Sequence, residues 1–472
     1  MSARYITTTL PYVNADPHLG HALEFVEADC VARAARLAGD EVFFNIGTDE
    51  HGAKIAQKAE LEGKPVQEYV DEYAARFKVF SDRLNISYDS FIRTTDAKHI
   101  AAAQEFWKRC EAAGDIYKAE YEIKYCVGCE LEKTDSELVD GRCPIHPNMQ
   151  VEIRKEENYY FRFSKYQKAL LDHYAAHPDF VVPASRLGEI RTFVEGGLKD
   201  FSISRRKEKL SWGVPVPGDE NHVMYVWFDA LVNYISAIGW PADEERFKKW
   251  WPVTQFAGKD NLRQQSAMWQ AMLLSANLPT SRQVFIHGFI TSGGQKMSKS
   301  LGNVVNPLEL VEKYGVDAVR YILLRHVSPT EDSDLTLEAI HDHYTAHLTN
   351  GLGNLVARVM KLAETNLPAP VARPEPVDFP KEYTDAIDAF EFNRAMDLIW
   401  SRIQKLDERI TAEKPFAVVK EDEAKGRAMI IEMATELYQI ARLLTPFMPT
   451  TSETIKKAVL ENKKPENLFP RL

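Results

Sequence analysis

The first hundred residues alternate two hydrophobic periods, and this alternation narrows the fold more than any other feature of the chain. Ile6 to Thr9, within Tyr5-Ile6-Thr7-Thr8-Thr9, reads as a strand. Leu19 to Leu37 follows with Ala22, Val26 and Cys30 on one helical face. Glu41-Val42-Phe43-Phe44-Asn45-Ile46-Gly47 has the composition of a buried strand, and Val66 to Leu84 is again helical. Strand, helix, strand in that order predicts an α/β domain with a Rossmann-like parallel sheet. Ligands of such sheets bind at the carboxyl ends of the strands.

From about Asp115 to Trp227 the pattern changes to short strands, tight turns and a cysteine cluster, which predicts an insertion into the sheet domain. The α/β pattern resumes with strands at Gln255-Phe256-Ala257-Gly258 and Val284-Phe285-Ile286-His287 and a long helix between them. Asn366 to Pro380 carries Pro368, Pro370, Pro374, Pro376 and Pro380, a stiff connector. Beyond it the chain reads helical to about Glu461. The expected units are therefore 1–115 and 227–325 for the two halves of the sheet domain, 116–226 for the insertion, 326–380 for a helical stem and connector, and 381–472 for a helical bundle.

The 472 residues and 53.8 kDa suffice for several cores. No apolar run approaches the roughly 18 residues of a membrane span, so no membrane partner is expected. The N-terminus enters a strand almost at once, and the expected compartment is the cytoplasm. A net charge of −11 excludes a generally basic nucleic-acid coat but not a local basic groove.

The five cysteines do not form a disulfide framework. Cys126-Val127-Gly128-Cys129 and Cys143-Pro144-Ile145-His146 form two half-sites, each able to point two ligands at one metal. Four soft or borderline ligands suit tetrahedral Zn²⁺, and a closed set is structural. Cys30 and Cys110 fall on helical faces and read as buried thiols.

Two segments carry phosphate chemistry. His18 and His21, in His18-Leu19-Gly20-His21, are three apart at a helix start and share a face. A helix N-terminus offers N–H donors to an anion, and Gly20 admits a close ligand. Near the other end, Lys296-Met297-Ser298-Lys299-Ser300 places two lysines three apart between Gly293-Gly294 and Gly302. Such a cationic loop suits a polyphosphate that gains charge in a transition state. Gly258-Lys259-Asp260 ends a strand, where a glycine admits a ribose and a carboxylate accepts from its hydroxyls. Alone, that tripeptide is also an ordinary turn.

Together, the histidine and lysine segments resemble the HIGH and KMSKS motifs of class I aminoacyl-tRNA synthetases. Leu10-Pro11-Tyr12-Val13-Asn14, Gly47-Thr48-Asp49-Glu50-His51-Gly52 and Val226-Trp227-Phe228-Asp229-Ala230-Leu231-Val232-Asn233-Tyr234 resemble the methionyl version of that family, from about residue 4 to the C-terminus. The resemblance implies that Asp49 holds the ammonium of methionine. It places Leu10, Tyr12, Trp227, Ala230, Leu231 and Tyr234 around the side chain, where aromatic and aliphatic walls suit a thioether. It departs at one wall. Where the family often has Ile four residues before a pocket His, this chain has Asn261 and Gln265. Gln265 can donate toward sulfur but cannot titrate.

The resemblance further implies ATP with Mg²⁺, a methionyl-adenylate intermediate, and transfer to tRNA. Gly20, Gly258, Asp260 and Lys299 would bind ATP, and His18, His21, Lys296 and Lys299 would stabilise charge at the α-phosphate. The cysteine cluster resembles the family's zinc knuckle, with His in a place where Cys is common. The helical tail resembles its anticodon-binding bundle, with Asn393 and Arg394 as readers. Asp397 stands where a base-contacting Arg is expected, and Lys456, Lys457, Lys463 and Lys464 read as solvated charges ahead of contacts to backbone phosphates. Some family members continue into a dimerising OB-fold. This chain stops at Leu472, so a monomer is expected. Two rivals are another class I synthetase, such as the cysteinyl enzyme, and a catalytically silent RNA-binding zinc protein.

Overall fold

The computed structural model describes residues 2–129, 131–133, 137–296, 305–375 and 377–472, with side chains at all of these except 121–123, 132, 154–156, 295 and 296. Six strands form one parallel sheet in the order Ser90–Arg93, Glu41–Thr48, Ala3–Thr8, Val253–Gly258, Gln283–His287, Val181–Val182. The strand order reverses between Ala3–Thr8 and Val253–Gly258, which opens a crevice at their carboxyl ends. Thr9 closes the floor of that crevice, its N–H donating to the Phe256 carbonyl at 3.1 Å.

Side chains alternate across the sheet, as the period of two requires. Tyr5, Phe43, Ala257, Val284 and Ile286 face a core shared with the insertion. Ile6, Phe44, Phe256 and Phe285 face the helix Leu19–Leu37, in a core that runs on without a break into the C-terminal helices Phe392–Glu413, Glu423–Leu444 and Pro449–Glu461. Phe390 joins the two regions. Its ring lies 4.7 Å from Phe285 and 5.5 Å from Phe256 between centroids, and its φ of 59° is left-handed. That backbone costs a non-glycine residue ~1–2 kcal/mol, which the aromatic packing offsets. Arg320, fully buried, is a second tie. It donates to the Leu84, Pro446 and Phe447 carbonyls and pairs with Asp29 at 2.7 Å.

The helices Leu19–Leu37 and Val66–Arg83 and the strands Glu41–Thr48, Val253–Gly258 and Gln283–His287 stand where the periodicity puts them. Two stretches differ. The long helix expected after Gly258 is broken into a 3₁₀ turn at Lys259–Asn261, a π-helical stretch at Gln264–Met268 and an α-helix at Trp269–Ser275. The insertion is built on the antiparallel pair Ile116–Cys126 and Glu152–Phe161, but it also holds the helices Gln167–Ala176 and Ala184–Glu195. Its strand Val181–Val182 extends the edge of the parallel sheet. Leu170 with Tyr174 and Ile190 with Val194 are buried pairs at helical spacing. They carried a signal that the run of short strands and turns concealed. The proline segment has neither helix nor strand among its described residues from 367 to 380. Arg442 and Gln439 strap it down by donating to the Val377 and Glu375 carbonyls.

Candidate active site and metal centre

His18 is the N-cap of the helix Leu19–Leu37, and it caps with its imidazole. Its Nδ1 accepts from the Gly20 N–H at 3.1 Å, while Nδ1 of His21 accepts from the His18 N–H at 3.2 Å. The two rings stack at 3.7 Å. Each Nδ1 is an acceptor, so each neutral ring carries its proton on Nε2, which is therefore a donor. Burial, and then the neighbouring His18 and His287, hold the His21 pKa well below the usual range, keeping that ring neutral. Gly20 serves this cap directly, because a Cβ there would stand 3.0 Å from His18 Cε1.

Beneath the cap lies a buried acid–imidazole network. Glu24 accepts from the Thr9 N–H at 2.7 Å and from its hydroxyl at 2.6 Å, and its other oxygen meets His287 Nε2 at 3.1 Å. His287 Nδ1 donates to the Gly288 carbonyl at 2.7 Å. Burial alone would lower the His287 pKa, but the bond to Glu24 and the charges of Glu27 and Glu24 raise it to about 9. Burial raises the pKa of Glu27, one turn along, to about 8, and its Oε2 has no hydrogen-bond partner among the described residues.

Across the crevice, Gly258 is a close approach. A Cβ there would lie 2.8 Å from Asp260 Oδ1 and 3.5 Å from His287 Cε1. Lys259 is engaged elsewhere, paired with Asp332 at 2.7 Å. Lys296 sits on a hairpin whose strands Ile290–Ser292 and Gln295–Lys296 are joined by Gly293 and Gly294, with φ of 64° and 71°. Two successive positive φ values are what a tight hairpin turn requires. The structure describes Lys296 by its backbone only, and Lys299 lies outside the described residues.

Two groups of the other residues named from sequence are joined by direct contacts, Tyr12 with Asp49 and Tyr234 with Gln265. Tyr12 and Asp49 form a parallel bridge, with Val13 N–H donating to the Asp49 carbonyl at 3.1 Å and Asp49 N–H to the Pro11 carbonyl at 2.9 Å. The segment from Leu10 to Val13 thus lies beside Asp49. Gly52 makes room for Tyr12, whose hydroxyl would be 2.3 Å from a Cβ at 52. Glu50 anchors the turn, accepting from Thr48, Thr95 and both arms of Arg93. Asp229 joins this turn to the helix Val226–Ala230, which carries Trp227 and Ala230. It meets His51 Nδ1 at 3.0 Å and His99 Nε2 at 3.2 Å, and His99 reaches Ser236 at 3.0 Å. Burial alone would raise the Asp229 pKa, and the two imidazoles lower it.

Ala230, Leu231 and Tyr234 are buried, as is Gln265. Gln265 Nε2 donates to the Tyr234 hydroxyl at 2.8 Å, and Gln265 Oε1 accepts from Gln255 Nε2 at 2.8 Å. The π-helical stretch therefore turns Gln265 onto Tyr234 and away from its own helix.

The metal cluster stands apart from these groups. Ligand atoms of Cys126, Cys129, Cys143 and His146 all lie within 4.8 Å of one another, with Cys129 Sγ 3.3 Å from Cys143 Sγ and 3.2 Å from His146 Nδ1. Gly128 leaves the space that His146 fills, since a Cβ there would lie 2.3 Å from the ring. Three thiols and an imidazole converging on one point fit a tetrahedral zinc ion. Lys54, donating to the Gly128 carbonyl at 2.8 Å, and Arg263, paired with Glu137 at 2.8 Å, tie this knuckle to the sheet domain. Cys30 and Cys110 are buried thiols in the two cores.

Asn393 and Arg394 lie far along the chain, at the start of the helix Phe392–Glu413. With Asp397 and Leu398 they line an open cavity of about 300 Å³. Asp397 is paired with Arg325 at 3.0 Å. Lys456 pairs with Glu453 and Lys457 with Glu461. Sequence reasoning missed Glu24, Glu27, His287, His99, Gln255 and the role of Asp229. Each lies inside an apolar or mixed run, and only the folded sheet brings it to its partner.

Residues 4–151 and 132–360 match the family model described as tRNA synthetases class I (M). A methionine–tRNA ligase of Thermosynechococcus vestitus is 42% identical over 470 residues, covering 95% of this chain and 88% of the relative. One of Thermotoga maritima is 40% identical over 478 residues, covering 98% and 76%. The Mycobacterium tuberculosis methionyl-tRNA synthetase in complex with methionyl-adenylate superposes with a TM-score of 0.89 at 39% identity, covering 96% of this chain and 93% of that one. With a family model spanning most of its length and relatives this similar over nearly all of it, the chain belongs to the class I tRNA synthetases of the methionine type.

Proposed function

We propose how the crevice divides the work of a methionine–tRNA ligase, the enzyme class of this chain, which attaches methionine to its tRNA through methionyl-adenylate. The methionine carboxylate attacks the α-phosphate of ATP, and pyrophosphate leaves. The 2′ or 3′ hydroxyl of the terminal tRNA adenosine then takes the acyl group. Nε2–H of His18 and of His21 donate to phosphate oxygens as charge grows on them, and the helix N-terminus behind them adds its dipole. Lys296 and Lys299 supply the opposing cationic charge. Gly258 admits the ribose, and Asp260 accepts from its hydroxyls. Mg²⁺ bound with ATP would supply neutralising charge at the phosphates.

Asp49 pairs with the ammonium of methionine. Leu10, Tyr12, Trp227, Ala230, Leu231 and Tyr234 enclose the thioether, with Gln265 fixing the tyrosine hydroxyl. Cys126, Cys129, Cys143 and His146 would hold a zinc ion that keeps the knuckle in shape, apart from the reacting groups. Asn393 and Arg394 read anticodon bases from the bundle.

The observation that carries this reading is the reciprocal imidazole cap, which makes both Nε2 atoms donors at a helix N-terminus beside the strand switch. ATP–pyrophosphate exchange across the twenty amino acids tests it, with methionine alone expected to support exchange. Lys299→Ala should lose most of that exchange while methionine binding stays nearly intact, because the charge acts chiefly in the transition state. Undiminished exchange in that variant would mean that Lys299 does not stabilise the transition state.

A further inference from the structure

The hairpin that carries Lys296 is fastened to the rest of the chain by a short extended segment. Residues 331–335 follow the helix Val316–His326 and lead into the helix Leu337–His343, which Thr336 caps. Within the segment, the strand Ser333–Asp334 runs parallel to Ile290–Thr291 of the hairpin. The Ser333 N–H donates to the Phe289 carbonyl and the Leu335 N–H to the Thr291 carbonyl, both at 2.9 Å. Leu335 is buried and anchors the far end. Gly288, just past the strand Gln283–His287, admits the segment, since a Cβ there would stand 2.3 Å from the Glu331 carbonyl carbon. A two-stranded hairpin is at best marginally stable alone. The strand Gln295–Lys296 therefore depends on this third strand for a fixed place.

Alternate residues of an extended segment face one side. Asp332 and Asp334 do so, and each holds a different wall of the crevice. Asp332 accepts from the Phe289 N–H at 2.9 Å and meets the Lys259 ammonium with both oxygens at 2.7 Å. That ammonium also lies 4.6 Å from the centre of the Phe289 ring. Lys259 is thereby fixed between Gly258 and Asp260. Asp334 reaches the hairpin turn instead. Its Oδ1 accepts from the Gly294 N–H at 2.9 Å and from the Thr291 hydroxyl at 3.0 Å. The amides of the two central residues of such a turn lie outside the ladder that joins the strands. The bond from Gly294 to Asp334 thus fixes the turn against the body of the protein, and bonds to a carboxylate are about twice as strong as neutral ones.

We propose that Asp334 is a positioning residue for adenylate formation, holding the hairpin through Gly294 and Thr291 so that Lys296 meets the phosphates. Asp332, two residues back, keeps the Gly258-Lys259-Asp260 corner in register with it. The inference rests on the charge role given above to Lys296. Misplacing a reacting group by about 1 Å costs about 100-fold in rate. Asp334 itself is exposed, so its loss costs the fold little.

The test is ATP–pyrophosphate exchange by variants of the full chain. Asp334→Ala should lower kcat by about 10- to 100-fold, with KM for methionine within about twofold of the parent. Asp334→Asn keeps an acceptor oxygen of the same reach and should stay within about threefold of the parent. Thr291→Val removes one of the two donors and should show the same split at about 2- to 5-fold, which decides the matter if urea unfolding shows the Ala variant to be unfolded. A cycle with Lys296→Ala supplies a readout that a merely structural role would not move. Because Asp334 acts through Lys296, the double variant should lose less than the product of the two single losses. Unchanged kcat in both Asp334→Ala and Thr291→Val, a loss in Asp334→Asn equal to that in Asp334→Ala, or a double variant at the full product would each overturn the assignment. Undiminished exchange in Lys296→Ala would overturn the charge role of Lys296, and this placement with it.

Discussion

Two buried acid–imidazole networks lie under the crevice, and they are built with opposite stoichiometry. Beneath the imidazole cap of His18 and His21, Glu24 and Glu27 share one imidazole, His287. Beneath the proposed methionine pocket, one carboxylate, Asp229, is shared by His51 and His99. An excess of acid pulls protons in, so His287 is raised to about 9 and burial lifts Glu27 to about 8. An excess of imidazole does the reverse and lowers Asp229. The corner proposed to meet a polyphosphate is thus buffered toward positive charge. The proposed methionine pocket is held by an anion sealed between two rings.

The largest effect expected from this contrast is at Asp229. Asp229→Ala leaves two buried imidazoles without their shared partner and loosens the helix that carries Trp227. Breaking a buried charged network of this kind costs about 3–5 kcal/mol, to be read from urea unfolding, with KM for methionine rising more than KM for ATP. A loss under about 1 kcal/mol, or equal rises in both KM values, would mean that Asp229 does not organise the pocket.

The next test concerns pH. Glu27 keeps its proton to about 8 when folded, against a usual value of 4.5, so its contribution is complete below about 4.5 and declines as pH rises to about 8. His287 contributes fully below about 6.5 and loses its contribution as pH rises through about 9. Asp229, lowered, loses its contribution only in acid, below the ordinary carboxylate range. Glu27→Gln should therefore be more stable than the parent at pH 8 and should flatten the fall in urea midpoint between pH 5 and pH 8. Equal slopes in parent and variant would show that Glu27 is not the buried acid described.

The smallest effect is at Gln265. Gln265→Leu frees the Tyr234 hydroxyl and removes its fixed orientation. The ratio of kcat/KM for methionine over an all-carbon analogue should fall by ~1 kcal/mol, roughly fivefold. An unaltered ratio would place discrimination in the aromatic walls alone.

Much of this arrangement was legible in the sequence because local period and local spacing encode it. The helix Leu19–Leu37 and its flanking strands follow from apolar repeats, and the knuckle follows from two C-x₂-C/H pairs. The imidazole cap was half legible. The three-residue spacing of His18 and His21 put them on one face, but not that each would cap the backbone of the other. The two acid networks were not legible, because Glu24 and His287 are 263 residues apart in the chain and Asp229 and His51 are 178 apart. The break after Gly258 was hidden for another reason. A π-helical stretch keeps the composition of an α-helix while shifting which side chains face inward.

The ring of Phe390 seats the first turns of the bundle directly on the strands that end at Gly258 and His287. A gene divided at the proline segment would therefore not give two independent products. The catalytic half would present Phe256 and Phe285 to water as an open apolar face, and the helical half would present the matching one. The two fragments should be recoverable in soluble form only when co-expressed, reassembling through the same aromatic seat.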